Sequence, residues 1–301
     1  MIDDEVEAQL AEVTELAPLH NTPALAAIRR ARATLPGLPH VAVFDSAFHA
    51  TIPAEAATYA LPERAREEWG ICRFGFHGLS VQWASERVRV ARLVVCHLGG
   101  GCSVTAVRDG RSVDTTMGFT PLEGVPMATR PGSVDPGALL YLLRHHLTLD
   151  DLDRLLEHES GLAGLSGRSG DVKELEQADD PAARLALDVF SYRVATAVGA
   201  MAVALDGLDA LVFTAGIGEH SAGVRARICV RLRFLGVEVD ESANASAEPD
   251  VEVGASGSTV RVVVLRARED LVAARAARSL LGLGDQKMSP PSLSPGPGVG
   301  R

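Results

Sequence analysis

Residues 93–115 constrain the fold more than any other part of the chain. Leu93 to Cys96 is an apolar run that closes on His97 and a glycine triplet, Gly99, Gly100 and Gly101. The alternating stretch Ser103 to Val107 follows, then the pair Asp109-Gly110 and a second alternating stretch, Ser112 to Thr115. Asp-Gly supplies the positive φ angles of a two-residue hairpin turn. A strand, a glycine loop, a strand, a tight turn and a strand therefore follow in fixed order. Such a segment must build one side of a sheet and bring bare backbone to the end of its first strand.

The flanking sequence supplies the layers. Residues 5–12 and 22–34 carry helical periodicity, and Val41 to Phe44 reads as a short buried strand that delivers Asp45 at its tip. Downstream, helices are expected from Pro136 to Leu147, from Thr148 to His158 and from Pro181 to Leu205, where the proline suits a first helical position. Strands are expected at Asp209 to Thr214, Val237 to Val239 and Val260 to Leu265, and helices at Glu219 to Leu235 and Glu269 to Leu281. Hairpins followed by alternating helices and strands imply an α/β layered fold. Residues 285–301, rich in proline and glycine, read as a disordered tail.

Composition narrows the function. With 301 residues, 47% of them hydrophobic, the chain can bury a sizeable core. Its 29 Lys and Arg against 39 Asp and Glu give a net charge of -10, which opposes nucleic acid or an anionic membrane as partner. Lys173 and Lys287 are the only lysines, so an anion site must rest on arginine forks, backbone N–H groups or metal. There is no G-x-x-x-x-G-K-[ST] loop and no early lysine of the protein-kinase kind. Cys72, Cys96, Cys102 and Cys229 show neither C-x-x-C nor zinc spacing and read as reduced thiols. The acidic N-terminus lacks a signal-peptide pattern. Val194 to Leu205 is too short to span a bilayer and reads as a buried helix. A cytoplasmic enzyme is expected.

Four places could carry chemistry. His97 to Gly101, with Leu98 between, could form an anion nest, although an isolated glycine triplet is more often a tight turn. Thr214 to Glu219, including Gly216, Ile217 and Gly218, lies between a strand and a helix and suits a phosphate or ribose. Gly216-x-Gly218-x-x-Ser221, with Glu238 about twenty residues on, is also an imperfect dinucleotide fingerprint. A nicotinamide-dependent oxidoreductase is thereby a distant alternative. Arg130 sits in a proline and glycine framed loop and could clamp a carboxylate or phosphate, or simply be solvated. Asp45, His49 and the Phe76-His77-Gly78 turn place a carboxylate and imidazoles near strand or loop ends, although lone histidines more often pack or cap.

The order of these pieces is informative. VAVFDSAFHATIP (41–53), RFGFHGLS (73–80), VVCHLGGGCSV (94–104), VDTTMGFTPLEGVPMATRPGSVDP (113–136), SGLAGLSGRSGDVKEL (160–175) and VFTAGIGEHS (212–221) together resemble the acetate kinase family. The resemblance runs from about residue 17 to about 276. It implies a two-domain fold of the sugar kinase, actin and heat-shock ATPase kind, with mixed twisted sheets flanked by helices. It also implies Mg2+-dependent, reversible phosphoryl transfer from ATP to acetate, giving acetyl phosphate and ADP, in a protein that is usually a homodimer. Asp45, His77 and Arg130 match the catalytic positions, and Glu269 matches a magnesium-linked glutamate. His97 to Gly101 would hold phosphates; Asp171, Val172 and Lys173 the nucleoside; and Gly216, Ile217, Gly218, Glu219 and His220 the adenosine. Since acetate is ionised at neutral pH, Asp45 is expected to orient groups or organise the metal as much as to move protons.

The chain departs from the pattern in places. Gly100 stands where the family has asparagine, Lys173 where it has arginine, His220 where it has asparagine, and Val81 where FHGTSH has its second histidine. Arg266-Ala267-Arg268 replaces a proline-containing approach to Glu269, and the stretch from His77 to His97 is short. Neither the family's N-S-G-S-S-S-x-K loop nor its R-x-V-H-G-G segment is found. The expectation is a remnant first domain over 1–90 whose strands have unpaired edges, and a nucleotide-binding domain over 91–284. An impaired nucleotide-binding fragment, or a subunit completed by a separate N-terminal piece, is the second reading.

Overall fold

The computed structural model describes residues 1–12, 14 and 18–283, with only the backbone of 18–20. The expected tail at 285–301 lies outside the described residues. One six-stranded sheet forms the centre: β1 (Arg92–Leu98), β2 (Cys102–Arg108), β3 (Arg111–Thr115), β4 (Ala210–Thr214), β5 (Val251–Glu252) and β6 (Arg261–Val264), in the order β3-β2-β1-β4-β6-β5. β1, β4 and β6 run parallel, and the β2–β3 hairpin and β5 are antiparallel edges. The hairpin turns as its sequence predicts, for Asp109 and Gly110 adopt φ of 49° and 78°.

Alternation along the strands fills two cores. Val94, Cys96, Leu98, Val104 and Ala106 face the Pro181–Leu205 helix, which buries Phe190, Val194 and Val198. Leu93, Val95 and Val107 face the other side, against the Gly78–Arg87 and Glu269–Leu280 helices. Each large side chain so enclosed contributes about 1.5–3 kcal/mol by leaving water. The Pro181–Leu205 helix has the length and apolar composition to cross a bilayer, so length does not exclude a span as the Val194 to Leu205 run alone suggests. Half of its most apolar window is buried against the sheet, as in a core helix.

Several expectations are corrected. Val41 to Phe44 is not a strand: the segment is irregular and partly exposed, and no neighbour supplies a ladder. The described residues before β1 contain helices and no strand, so no unpaired strand edges arise there. Glu219 to Leu235 is not one helix but three short pieces, Ala215–His220, Ala222–Cys229 and Val230–Leu235. Ser221 breaks the first from the second, its hydroxyl accepting from Val224 N at 3.0 Å as an N-cap. Val237 to Val239 forms only an isolated bridge, Val239 to Gly254.

Candidate active site

The site lies at the carboxyl end of β1 and β4, where parallel strands present loops to a ligand. β1 ends at Leu98 and the chain turns through Gly99 to Gly101, with Gly99 N donating to Gly101 O at 3.0 Å. A second backbone bond, Ala128 N to Gly100 O at 3.2 Å, ties this turn to the arginine loop. Gly99 therefore closes the loop with its own amide, and the glycine triplet forms a tight turn.

Arg130 is buried and held from both sides. Its Nη1 donates to Pro121 O at 2.9 Å. Its loop is pinned by Ser160 N to Thr129 O, Leu162 N to Met127 O and Ala163 N to Ala128 O, each 2.9 Å. Gly161 has φ +61°, and a Cβ there would meet Met127 O at 2.3 Å, so only glycine lets this strap approach. Burial weakens the hold of Arg130 on its proton, and nearby Glu157 partly restores it; an arginine stays charged nonetheless.

His77 takes the left-handed conformation, φ 60°, at the start of the Gly78–Arg87 helix. Asp45 enforces it: Asp45 Oδ2 accepts from His77 N at 2.6 Å, Oδ1 from Leu79 N at 3.3 Å, and Asp45 O from Gly78 N at 2.9 Å. A helix N-terminus welcomes such a carboxylate. The His77 ring stacks on the His97 ring, 4.0 Å between centroids and 17° between planes. His97 is buried, with Nδ1 2.8 Å from Ser80 Oγ. Burial, and then the neighbouring His77, push its pKa well below the ordinary histidine value, so it is neutral.

Gly101 joins the two arms. A Cβ built on it would lie 2.9 Å from Arg130 Nη2 and 3.1 Å from His77 Nε2. A guanidinium nitrogen and an imidazole nitrogen thus converge on one spot above the glycine turn. His77 also lines a cleft of about 670 Å³ together with Asp45, His97 and Glu269, with Phe44, Phe74, Phe76 and Phe119 as its apolar wall. Gly99 and Gly100 of the same turn line a second cleft of about 660 Å³, together with Asp171, Val172, Lys173, Gly216, Ile217 and His220.

Most residues expected at a nucleotide site do share that second cleft, but not all. Leu98 and Val172 bury their side chains in the core, so only their backbone can serve. His97 lines the first cleft, not the second. Gly218 faces Phe213, and Glu219 is buried with Oε1 accepting from Ala215 N at 3.0 Å and Ala267 N at 2.9 Å. Glu219 thereby anchors the segment that leads to Glu269. The expected loop at Thr214 to Glu219 is in fact the Ala215–His220 helix, so Gly216 and Gly218 are not a dinucleotide turn, and Glu238 is exposed away from both clefts. Sequence reasoning missed Glu176, which bridges the cleft walls by accepting from Ser221 Oγ at 2.7 Å. It also missed Arg73, which donates to Thr115 O, Thr116 O and Glu123 and so binds the 73–78 turn to the loop after β3. A lone arginine or glutamate carries no local signal of such a role.

Asp45 and Glu269 face one cleft, and burial, followed by the charge of Asp45, raises the Glu269 pKa. A cation between them would relieve that repulsion. Mg2+ binds through one or two carboxylates plus phosphate oxygens and water, which this pair fits. Among the described residues no group of three His, Cys, Asp or Glu forms a fuller cage.

Donors that converge over a glycine turn are what the binding of phosphoryl oxygens requires. The acetokinase family profile matches residues 1–275, and the chain belongs to that family. It is 48% identical over 292 residues to the acetate kinase of Synechococcus sp. (strain JA-2-3B'a(2-13)), covering 93% of this chain and 72% of that one. Among solved structures, a propionate kinase from Francisella tularensis subsp. tularensis SCHU S4 superposes with a TM-score of 0.86 at 37% identity, over 91% of this chain and 73% of that one. Porphyromonas gingivalis acetate kinase gives 0.85 at 35%, over 93% and 73%. The α/β fold expected from the sequence, a mixed sheet flanked by helices, is the one on which the chain superposes with these relatives.

Proposed function

We propose that the chain is an acetate kinase, transferring the γ-phosphoryl group of ATP reversibly to acetate to give acetyl phosphate and ADP. The observation that carries this reading is the convergence of Arg130 Nη2 and His77 Nε2 over Gly101. Phosphoryl transfer asks for in-line positioning and for donors aimed at equatorial oxygens, with little covalent help. The nucleotide would lie in the cleft of Lys173 and His220, with its phosphates directed across Gly100 and Gly101. Acetate would enter the phenylalanine-walled cleft, its methyl group against Phe74 and Phe119 and its carboxylate toward Arg130. Asp45 fixes His77 through the backbone and stands with Glu269 where Mg2+ would bind; the ion would neutralise phosphate charge. A cytoplasmic homodimer is the form in which we expect the enzyme to act, and we place the division between its parts near residue 90.

The purified chain, given ATP, Mg2+ and acetate, is expected to form acetyl phosphate, trapped as its hydroxamate. Propionate in place of acetate, in the same assay, reads the acyl preference. ATP stabilising the fold against heat without any hydroxamate would instead favour an impaired nucleotide-binding fragment, and stabilisation by NAD but not ATP would sink the kinase reading.

A further inference from the structure

The stacked imidazoles are each fastened by a serine hydroxyl to which no role has been attached. Ser103 is fully buried on β2, directly across from His97 in the β1–β2 register. Along that face of β2 the residues are Ser103, Thr105 and Val107, so the strand turns from apolar to polar as it nears the glycine turn. Ser103 Oγ lies 3.0 Å from His77 Nδ1. Ser80, also buried, sits on the first turns of the Gly78–Arg87 helix with Oγ 2.8 Å from His97 Nδ1. One hydroxyl comes from the sheet and one from the helix, and the two rings are clamped between them.

A hydroxyl can donate or accept, but a neutral imidazole carries one hydrogen, and whichever nitrogen accepts leaves the hydrogen on the other. To serve a phosphoryl oxygen, His77 must carry that hydrogen on Nε2, the atom beside Arg130 Nη2 over Gly101. We propose that Ser103 is a positioning residue for His77: its hydroxyl donates to Nδ1, which keeps the hydrogen on Nε2 and fixes the plane of the ring. The neutral His97 ring beneath, held by Ser80, is the platform that stops His77 from tilting. This inference rests on the kinase reading of the cleft for its catalytic consequence, though not for its geometry.

The test is a double-mutant cycle with a spectroscopic arm. Ser103→Ala should lower kcat about tenfold while KM for ATP and for acetate stays within about threefold, because the loss falls on an interaction made in the transition state. In a His77→Ala background the same change should cost less than about twofold, since a residue that acts through His77 has nothing left to act on. Ser103→Cys, close in size but a weak donor, should fall between wild type and Ser103→Ala. Nitrogen NMR of histidine-labelled protein should show His77 with its hydrogen on Nε2 and a disturbed His77 signal in Ser103→Ala. His49, whose ring is held by Ser112 and Phe76 O, should not move. A folded Ser103→Ala enzyme with unchanged kcat, additive losses in the cycle, or an undisturbed His77 resonance would each overturn the proposal. If the wild-type chain makes no acetyl hydroxamate, the kinase reading fails while the NMR arm still decides whether Ser103 sets the state of His77.

Discussion

The first atoms that a Cβ on Gly101 would meet belong to two side chains and not to backbone: Arg130 Nη2 at 2.9 Å and the His77 ring, with Nε2 at 3.1 Å. Gly101→Ala should therefore leave the fold intact and push apart the two donors that matter. We expect kcat to fall about 10²-fold, the usual cost of losing one preorganised donor, with the melting temperature within a few degrees of wild type. A melting point that collapsed with activity would show the residue to be structural instead. Gly100 presents the opposite case. Nothing lies within 4 Å of a Cβ there, so the absence of the family's asparagine has no steric cause in this chain. Gly100→Asn should fit, restore a polar group beside the phosphates and lower KM for ATP by about tenfold, the worth of one hydrogen bond to a charged group. An unchanged KM would mean that the phosphates do not pass over this turn. Neither expectation is visible in the string of three glycines, which looks the same whether a side chain is excluded by its neighbours or merely missing.

Elements place these residues, and here the sequence was legible where local rules decide and illegible where partners decide. The Asp109-Gly110 hairpin, the capped helices at Leu149–His158 and Pro181–Leu205, and the strand at Ala210–Thr214 follow from turn chemistry, capping and periodicity alone. Val41 to Phe44 has the apolar run of a strand but finds no ladder, and β5 is too short to register as a pattern. The glycines of Ala215–His220 suggest a loop, yet the helix forms because Glu219 satisfies the amide of Ala215. The strap that holds Arg130 is likewise a tertiary fact. Gly161→Ala would force a positive φ on alanine and drive its Cβ into Met127 O, so it should cost more than about 3 kcal/mol and weaken the arginine loop. Gly167, at the other end of the same short helix, also has positive φ, 63°, but open space around it, and Gly167→Ala should cost only about 1 kcal/mol of torsional strain. Comparing the two by urea unfolding separates the clash from the torsion; equal losses would show that the strap does not press on the loop.

At the scale of the molecule, the site is reached by groups far apart in sequence: Asp45 and His77 before the sheet, Gly101 on its first turn, Arg130 beyond the hairpin and Glu269 at its far end. Their order made the family legible, but their meeting depends on buried polar contacts that order does not encode. Two of these contacts make stability depend on pH. His49 is buried, its Nε2 donating to Phe76 O and its Nδ1 accepting from Ser112, and burial lowers its pKa; His97 is lowered further by burial and by His77. In the unfolded chain both would titrate near their ordinary value of about 6.5. Below that pH the unfolded state takes up protons that the folded state refuses, so stability is full above about pH 7 and declines as pH falls, until the folded histidines titrate in turn. Each contributes up to about 1.4 kcal/mol per pH unit. Asp114 and Glu157, whose pKa values burial raises, bind protons more readily when folded and oppose the trend only nearer the carboxylate range. The unfolding free energy should therefore drop between pH 7 and pH 5.5, although the net charge of -10 shrinks over that interval and self-repulsion with it. His49→Gln, which keeps a donor for Phe76 O and cannot take up a proton, should flatten the decline by about one histidine's share. A slope identical to wild type would show that His49 is not held neutral by the fold.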